Sequence, residues 1–559
     1  MTEPNYWKRL AQRGTSRRRV LQAMGAASMT AAIGGSFAAC GGDDDATSGD
    51  DDASKNTPSS GTTTSTQPAG PVAKRGGELV VRRPSAMTFA DPHRSSSGYD
   101  PTINHLYAAP LLSMVNSKLG PSLVAKWEQV DHTSVRLQLR PDLTFTDGTP
   151  VNAAAVKYSI ERQADPKTAS PRRQLLDGVT VETPDEHSAL LKFETPNATF
   201  MENLAANEPI GVGALISPTA FEKLGADKFN ETPVSVGPFK IEQLRLDADS
   251  TFVPNEAWPL TAPNGDKLPY LDRVKIRVIP QTAVAVAELQ SGGIDMDYVF
   301  LGENVSQIKG RKGLDIDANK GAITQRIGLL INKAPTDIVA FRKALAYGIN
   351  RDEFAAVFTD GLGGPGRGAL TPLTWAYDAN APFYSYDEKK AEDFLSQAGL
   401  ASGTKVNICT YTSGVYPRMG ELIQAQLKKI GIDVTVDSME VPVYTEKYRK
   451  NGDYFMGLEG AGAPQGDPYR ALESLFGSSN QPGGTPMPEA DALLEKAIQE
   501  FDQDKRKAIY GDIVKLDYDN AYKVWLLENV TLAGYNTAVH GFNWLPSGSA
   551  MDVTAAWKA

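Results

Sequence analysis

The chain has 559 residues, with 57 Lys/Arg against 67 Asp/Glu and a formal net charge of −10. That acidic balance excludes a nucleic-acid binder that neutralises phosphates over a continuous basic patch. Two cysteines, Cys40 and Cys409, exclude a disulfide-built scaffold, and the length is too great for one core, so two or three domains are expected.

The first 39 residues carry Lys8, Arg9, Arg13, Arg17, Arg18 and Arg19 against the single acid Glu3. A modestly apolar stretch from Ala23 to Ala39 follows, and the order is that of an export signal. The stretch is too short and too rich in Gly and Ala to serve well as a membrane span. Ser16–Gln22, "SRRRVLQ", resembles the twin-arginine export motif, with Val20 and Gln22 in place of the usual Phe and Lys. "FAAC" resembles the lipobox of bacterial lipoproteins, in which the cysteine becomes the lipidated N-terminus; Phe37 stands where Leu is usual. The expected lipidation site is therefore Cys40. Removing residues 1–39 takes the net charge from −10 to −15.

Gly41 to Pro71 contains no Leu, Ile, Val, Phe, Met, Tyr or Trp. Such a segment buries too little surface to offset its ordering entropy, and as a flexible coil it spans about 30 Å. Lipid, acidic Ser/Thr-rich linker (40–75) and folded body form a tether.

In the body, strand–helix–strand patterns recur. "RVKIRVIP" (Arg273–Pro280) alternates like a half-buried strand. "TAVAVAELQSG" (Thr282–Gly292) reads as a helix with a glycine stop, and "IDMDYVF" as the next strand. "FRKALAYGINRDEFAAVF" places Phe341, Leu345 and Ile349 on one face, with Asn350 capping a second turn and Glu353 reaching back as a capping box. "DEKKAEDFLSQAG" begins at Asp387 and stops at Gly399. "KVNICTYT" (Lys405–Thr412) is a strand that places Cys409 as a buried free thiol. "RMGELIQAQLKKIG" puts Leu422, Ile423, Leu427 and Ile430 on one helical face, and "IDVTVDSM" is the returning strand. Residues 490–521 read as a long helical stretch with a solvated charged face. Two such units point to two α/β lobes.

Catalytic patterns are scarce. The five histidines, His93, His105, His132, His187 and His540, are never within four residues of one another, which excludes a HExxH-type zinc pair. There is no GxSxG elbow and no P-loop. "SQIK" (Ser306–Lys309) lacks a KTG partner, and "GLGGPGRG" (Gly361–Gly368) follows a helix and so reads as a turned loop. Asp295 and Asp297 share one face of a strand and need no catalytic reading.

Five blocks in order then resemble one family. They are "LTFTDGTPVNAAAVKYSIER" (Leu143–Arg162), "SVGPFKI" (Ser235–Ile241), "ELQSGGIDM" (Glu288–Met296), "INKAPTDIVAFRKALAYGINRDEF" (Ile331–Phe354) and "YDEKKAEDFLSQAGL" (Tyr386–Leu400). They are similar to the extracellular solute-binding proteins of ABC importers, family five, the oligopeptide, dipeptide and nickel branch. One departure is Ala at 154 and 155, where the helix motif commonly carries an acid. The resemblance implies an α/β, bilobal periplasmic-binding-protein-like fold, with crossing hinge strands and an α+β domain inserted into the first lobe. The placement is lobe I at 76–107, 214–325 and 525–559, the inserted domain at 108–213, and lobe II at 326–524. It also implies a binding protein rather than an enzyme, without cofactor or bound metal, and a monomer. Its partners would be a peptide or small-molecule ligand, an ABC permease with its ATPase, and the membrane through its lipid. It would work at the outer face of the cytoplasmic membrane. A tethered sensor or chaperone, or an extracellular hydrolase on the same scaffold, are the alternatives.

In peptide-binding members of the family, a carboxylate four residues before a proline holds the peptide's ammonium. In "FMGLEGAGAPQGDPYR" (Phe455–Arg470) that position is Pro464. Glu459 or Asp467 would have to substitute, and Asp467 also fits a turn before Pro468. Nickel is disfavoured without a histidine cluster. Trp375, Tyr377, Tyr411 and Tyr416 lie in segments expected to border the cleft, where they would stack on a ring or apolar side chain.

Overall fold

The computed structural model describes residues 72–559 apart from 97, 99, 206–210, 301, 463 and 464. The export signal, Cys40, most of the tether and Pro464 lie outside the described residues. Among the described residues, eleven strands join in one mixed sheet. Its path runs Ile432–Met439, Thr404–Tyr411, Met456–Gly462, Leu314–Leu329, Lys523–Asn536, Met296–Phe300, Glu78–Arg83, Arg273–Val278, Ser250–Pro254, Phe239–Gln243, and Gly364–Pro365 pairs with Lys523–Asn536 off this path.

Strand direction decides where the sheet leaves a gap. Met296–Phe300 and Leu314–Leu329 both run antiparallel to Lys523–Asn536, so they point the same way. Met456–Gly462 is antiparallel to Leu314–Leu329 and points back. Glu78–Arg83 and Arg273–Val278 are parallel to Met296–Phe300's group, while Thr404–Tyr411 and Ile432–Met439 are parallel to Met456–Gly462's. Two parallel groups therefore run toward each other. Phe300 ends level with Ala318, and Gly462 ends level with Ile323. On Lys523–Asn536 those levels are Leu532 and Asn529, three residues or about 10 Å apart. The fold is bilobal, and Leu314–Leu329 and Lys523–Asn536 are the strands that cross between its lobes. The expected boundaries 325/326 and 524/525 both fall inside these crossing strands.

Each lobe has its own core. In the second, Phe341, Leu345, Ile349, Leu422, Ile423, Leu427 and Ile430 pack on Ile327, Ile408 and Leu458. Helix Tyr416–Lys429 lies on the sheet because Gly420 lets it approach: a Cβ there would sit 2.7 Å from Val436. That glycine costs about 1 kcal/mol in an open helix, against about 1.5–3 kcal/mol for each large side chain buried by the approach. The packing wins. In the first lobe, Leu79, Val81, Phe252, Val274, Ile276 and Met296 form the centre. A separate antiparallel sheet, Val124–Asp131, Ser134–Leu139, Ser188–Phe193 and Val179–Asp185, packs helix Ala153–Ala164 over a core of its own.

Local expectations hold with two differences. Helix Thr282–Ser291 ends at Gly292 (φ 79°), and helix Glu388–Gln397 is capped by Asp387 with Gly399 (φ 73°) just past its end. Cys409 is buried and free. The first difference is the capping box. Asn350 does accept from Glu353 N (3.2 Å), but its own N–H donates to Gln426 Oε1 (2.9 Å), and Glu353 Oε2 accepts from Gln426 Nε2. A glutamine from the neighbouring helix takes the reciprocal bond, which local sequence does not reveal. The second is the long helical stretch, which is two helices, Pro488–Gln499 and Gln503–Asn520. Asp502 starts the second by accepting from Asp504 N and Lys505 N.

Asp297 lies across from Arg82 in the first lobe. Both its oxygens are 3.1 Å from Arg82 Nη1, and both side chains are buried. Replacing Asp297 by Ala leaves the guanidinium uncompensated. Urea unfolding of D297A is expected to show a loss of about 3–5 kcal/mol, whereas a replacement at an exposed pair such as Arg136/Glu128 shifts stability by less than about 1 kcal/mol.

Candidate functional site

In α/β sheets, ligands bind outside the carboxyl ends of parallel strands, because loops there converge and helix amino termini point in. Here two sets of carboxyl ends face one gap, with the crossing strands as its floor. The second lobe's wall is built from the end of Thr404–Tyr411, the start of helix Tyr416–Lys429, and the end of Met456–Gly462.

Tyr411 and Tyr416 meet there edge to face, ring centres 4.9 Å apart, and Tyr411 packs on Tyr444 at 4.4 Å. Burial, and then the neighbouring Tyr416, push the Tyr411 phenol up to about 12, so it stays neutral and available as a donor. Gly460 lets the tips of Tyr416 and Gln325 approach the strand. A Cβ there would lie 2.9 Å from both the Tyr416 hydroxyl and Gln325 Oε1. Gln325 is 4 % exposed, and its Oε1 accepts no hydrogen bond from any described residue. Thr410 Oγ1, at the end of the same strand as Tyr411, is likewise buried and unpartnered.

Glu459 lies one residue before Gly460 and so faces the other side of the strand. It is 1 % exposed and is paired with Arg326 (3.1 Å) and Arg449 (2.8 Å). Burial alone would raise its pKa, but the charges of Arg326, Arg449 and Lys523 hold it below the ordinary value. Lys523 is itself lowered to about 8 by burial and donates to Gln481 Oε1.

Asp467 is also committed. Its Oδ2 accepts from Arg506 Nε (2.8 Å), and its Oδ1 from Tyr469 N (2.9 Å) and the Tyr510 hydroxyl. Trp375 belongs to the same cluster, with its ring 5.9 Å from Tyr510 and 5.5 Å from the Arg506 guanidinium. Tyr377 lines a cavity of about 400 Å³ between residues 367–382 and helix Gln503–Asn520. The structure thus brings Tyr411 and Tyr416 together, with Glu459 close enough for its charge to raise Tyr411, and packs Trp375, beside Asp467, and Tyr377 against one core.

Several residues that sequence reasoning missed also border the gap. Gln465 N donates to Pro546 O (2.9 Å), and Gln465, Asn319, Met114, Trp258 and Trp544 line a cavity of about 580 Å³. Trp258 and Trp544 were legible only as aromatics, since their shared cavity depends on chain segments almost 300 residues apart. The small-sheet region is docked on the second lobe. Ser117 Oγ donates to Leu373 O (2.7 Å), Ala198 N to Ile498 O (2.7 Å) and Asp467 N to Glu202 Oε2 (2.5 Å), while His132 stacks on Phe501 at 4.4 Å. These contacts close the gap from one side.

Arg506 is the only cation paired with Asp467 among the described residues. R506A is expected to cost about 3–5 kcal/mol in urea unfolding and to raise hydrogen exchange in residues 465–470.

Comparison with known proteins agrees with this geometry. The model of bacterial extracellular solute-binding proteins, family 5 (middle region), matches residues 118–483. Heme-binding protein A of Haemophilus influenzae is 26% identical over 465 residues, 78% of this chain and 83% of that protein. The probable D,D-dipeptide-binding periplasmic protein DdpA of Escherichia coli is 25% identical over 445 residues, 77% of this chain and 83% of that one. Among solved structures, the substrate-binding protein CtaP of Listeria monocytogenes superposes with a TM-score of 0.77 at 21% identity, covering 87% of this chain and all of that one. DppA of Helicobacter pylori, solved with the peptide STSA, superposes at 0.70 with 23% identity, covering 86% and 98%. These are binding proteins and not enzymes. The chain belongs to the family 5 bacterial extracellular solute-binding proteins.

Proposed function

We propose that this chain captures a peptide or another medium-sized organic solute in the gap between its lobes and delivers it to an ABC permease. Lobe I comprises 76–107, 214–325 and 525–559, the inserted domain 108–213, and lobe II 326–524. Cys40 carries the lipid that holds the body at the outer face of the membrane. The observation that carries the reading is the pair of opposed carboxyl-end groups across two crossing strands. Relatives named for dipeptide and glutathione binding support a peptide-like solute.

Tyr411 and Tyr416 supply the contact surface, with Gln325 Oε1 as an acceptor. Glu459 and Asp467 already hold arginines, so neither clamps a solute ammonium without breaking a buried pair, at several kcal/mol. Stacking and neutral hydrogen bonds therefore dominate recognition.

Native mass spectrometry of the full chain purified from its own host tests this. A co-purifying peptide-like or other organic solute is expected, and an empty protein that no peptide or sugar shifts in melting temperature would sink the idea. Y411A and Y416A are each expected to weaken capture about tenfold, equal to about 1.4 kcal/mol. For the tether, C40S is expected to move the protein from the membrane to the soluble fraction.

A further inference from the structure

Glu202 sits in the helical turn Phe200–Leu204 of the small-sheet region, and its Oε2 accepts the Asp467 N–H from the second lobe. Gly466, just before Asp467, has φ 96°, and a Cβ on it would lie 2.5 Å from that same oxygen, so the Glu202 carboxyl is pressed against the loop. The loop is also tied down on its other sides. Gly466 bridges Thr374, and Gln465 N donates to Pro546 O. The contact thus joins the small-sheet region to the loop that leaves strand Met456–Gly462, at the mouth of the gap.

Two carboxyl groups meet at this point with only one nearby cation committed to them. Asp467 takes Arg506, the Tyr510 hydroxyl and the Tyr469 N–H. Glu202 receives one backbone N–H and no salt bridge among the described residues. The other charged and titratable groups around it are Arg172, Asp177, Arg470 and Glu473, which line the same cavity of about 510 Å³, and Tyr510. Arg470 is held by Glu473 at 2.5 Å.

We propose that the small-sheet region docks on the second lobe with a proton on the Glu202 carboxyl, so that closure of the gap takes up one proton and is favoured at acid pH. The neutral carboxyl accepts the Asp467 N–H through Oε2 and keeps the proton on Oε1. Undocking returns Glu202 to water and removes it from Asp467, and the proton leaves. Burial, and then the Asp467 charge, raise Glu202 from 4.5 to about 8 when docked. The sign follows. A carboxyl whose pKa is higher docked than free costs nothing below its free value, and it weakens docking progressively as pH rises toward its docked value. Between about pH 5 and 8 the docking equilibrium falls by up to tenfold per pH unit, and above about 8 it levels off.

This rests on the interlobe gap being the solute site, but its test needs no solute. Hydrogen exchange of the full chain is followed in peptides covering residues 198–205 and 465–470 at pH 6, 7, 8 and 9, after correction for the intrinsic pH dependence of exchange. In the wild type, protection is expected to fall about tenfold per unit from pH 6 to 8 and then flatten. In E202Q, which keeps an acceptor and cannot ionise, protection is expected to stay constant over the range. The same pH profile in both proteins, or a flat profile in the wild type, overturns the proposal. Melting temperatures of both proteins at each pH show that E202Q is folded. Failure of the solute-capture reading would appear separately, as an empty protein in mass spectrometry with the exchange profile intact.

Discussion

The pairing of Leu314–Leu329 with Lys523–Asn536 is the constraint on which the rest of this structure depends. Each lobe builds its sheet outward from one side of this ribbon, so the ribbon fixes both the distance and the relative direction of the two parallel groups. Its ladder slips between Lys320 and Ile323, at the level of the gap, and again between Gln325 and Arg326, inside the second lobe. A bulge removes ladder bonds worth about 1 kcal/mol each and increases local twist. The first slip falls where the two carboxyl-end groups face each other, so the ribbon is weakened at the level of the gap. Gly321, at φ 76° and packed on Thr371, takes up the turn within the first slip. Bending of one lobe against the other is therefore concentrated in a few residues of backbone, while the cores on either side stay intact.

Charge is distributed to match. Inside the lobes, buried ions are paired: Arg82 with Asp297, Arg83 with Asp100, Arg162 with Asp91, and Glu459 with Arg326 and Arg449. Such pairs contribute little net stability against apolar replacements, but each partner becomes expensive when left alone, and this favours a single arrangement within a lobe. Between the small-sheet region and the second lobe the rule changes. There a carboxyl meets another carboxyl's backbone, a phenylalanine meets a histidine, and two single hydrogen bonds run from loops to Leu373 and to the helix residue Ile498. Contacts of this kind are cheap to make and to break, as a surface that opens and closes requires.

The two lobes were legible because their elements are locally determined. Helix Thr282–Ser291 needs only its apolar period and Gly292, and strand Ile432–Met439 needs only its alternation and the preceding Gly431. What escaped was set by partners distant in sequence. Asn350's amide goes to Gln426, 76 residues on, and no spacing within the helix announces it. The site divides the same way. Tyr411 and Tyr416 are five residues apart and were readable as aromatics in a segment bordering the cleft. Gln325 was not, because its lack of a partner depends on Gly460 across the sheet. Glu459 and Asp467 were visible as carboxylates, yet whether either is free depends on Arg326, Arg449 and Arg506, placed there by three other elements.

That last point bears on recognition. A carboxylate offers about four lone-pair positions, and Asp467 has three occupied by Arg506, Tyr469 N and the Tyr510 hydroxyl. An incoming ammonium would have to displace a guanidinium that is itself almost buried, leaving it unpaired at a cost of several kcal/mol. Offset aromatic contact and one satisfied acceptor supply about 1–3 kcal/mol without disturbing anything. The cheaper route is the one the wall of the gap provides: two tyrosines edge to face, a glycine over which Tyr416 and Gln325 close, and a glutamine oxygen waiting for a donor. A solute that fits it offers an N–H or O–H and a flat or apolar group, and its charge, if it has one, stays toward solvent.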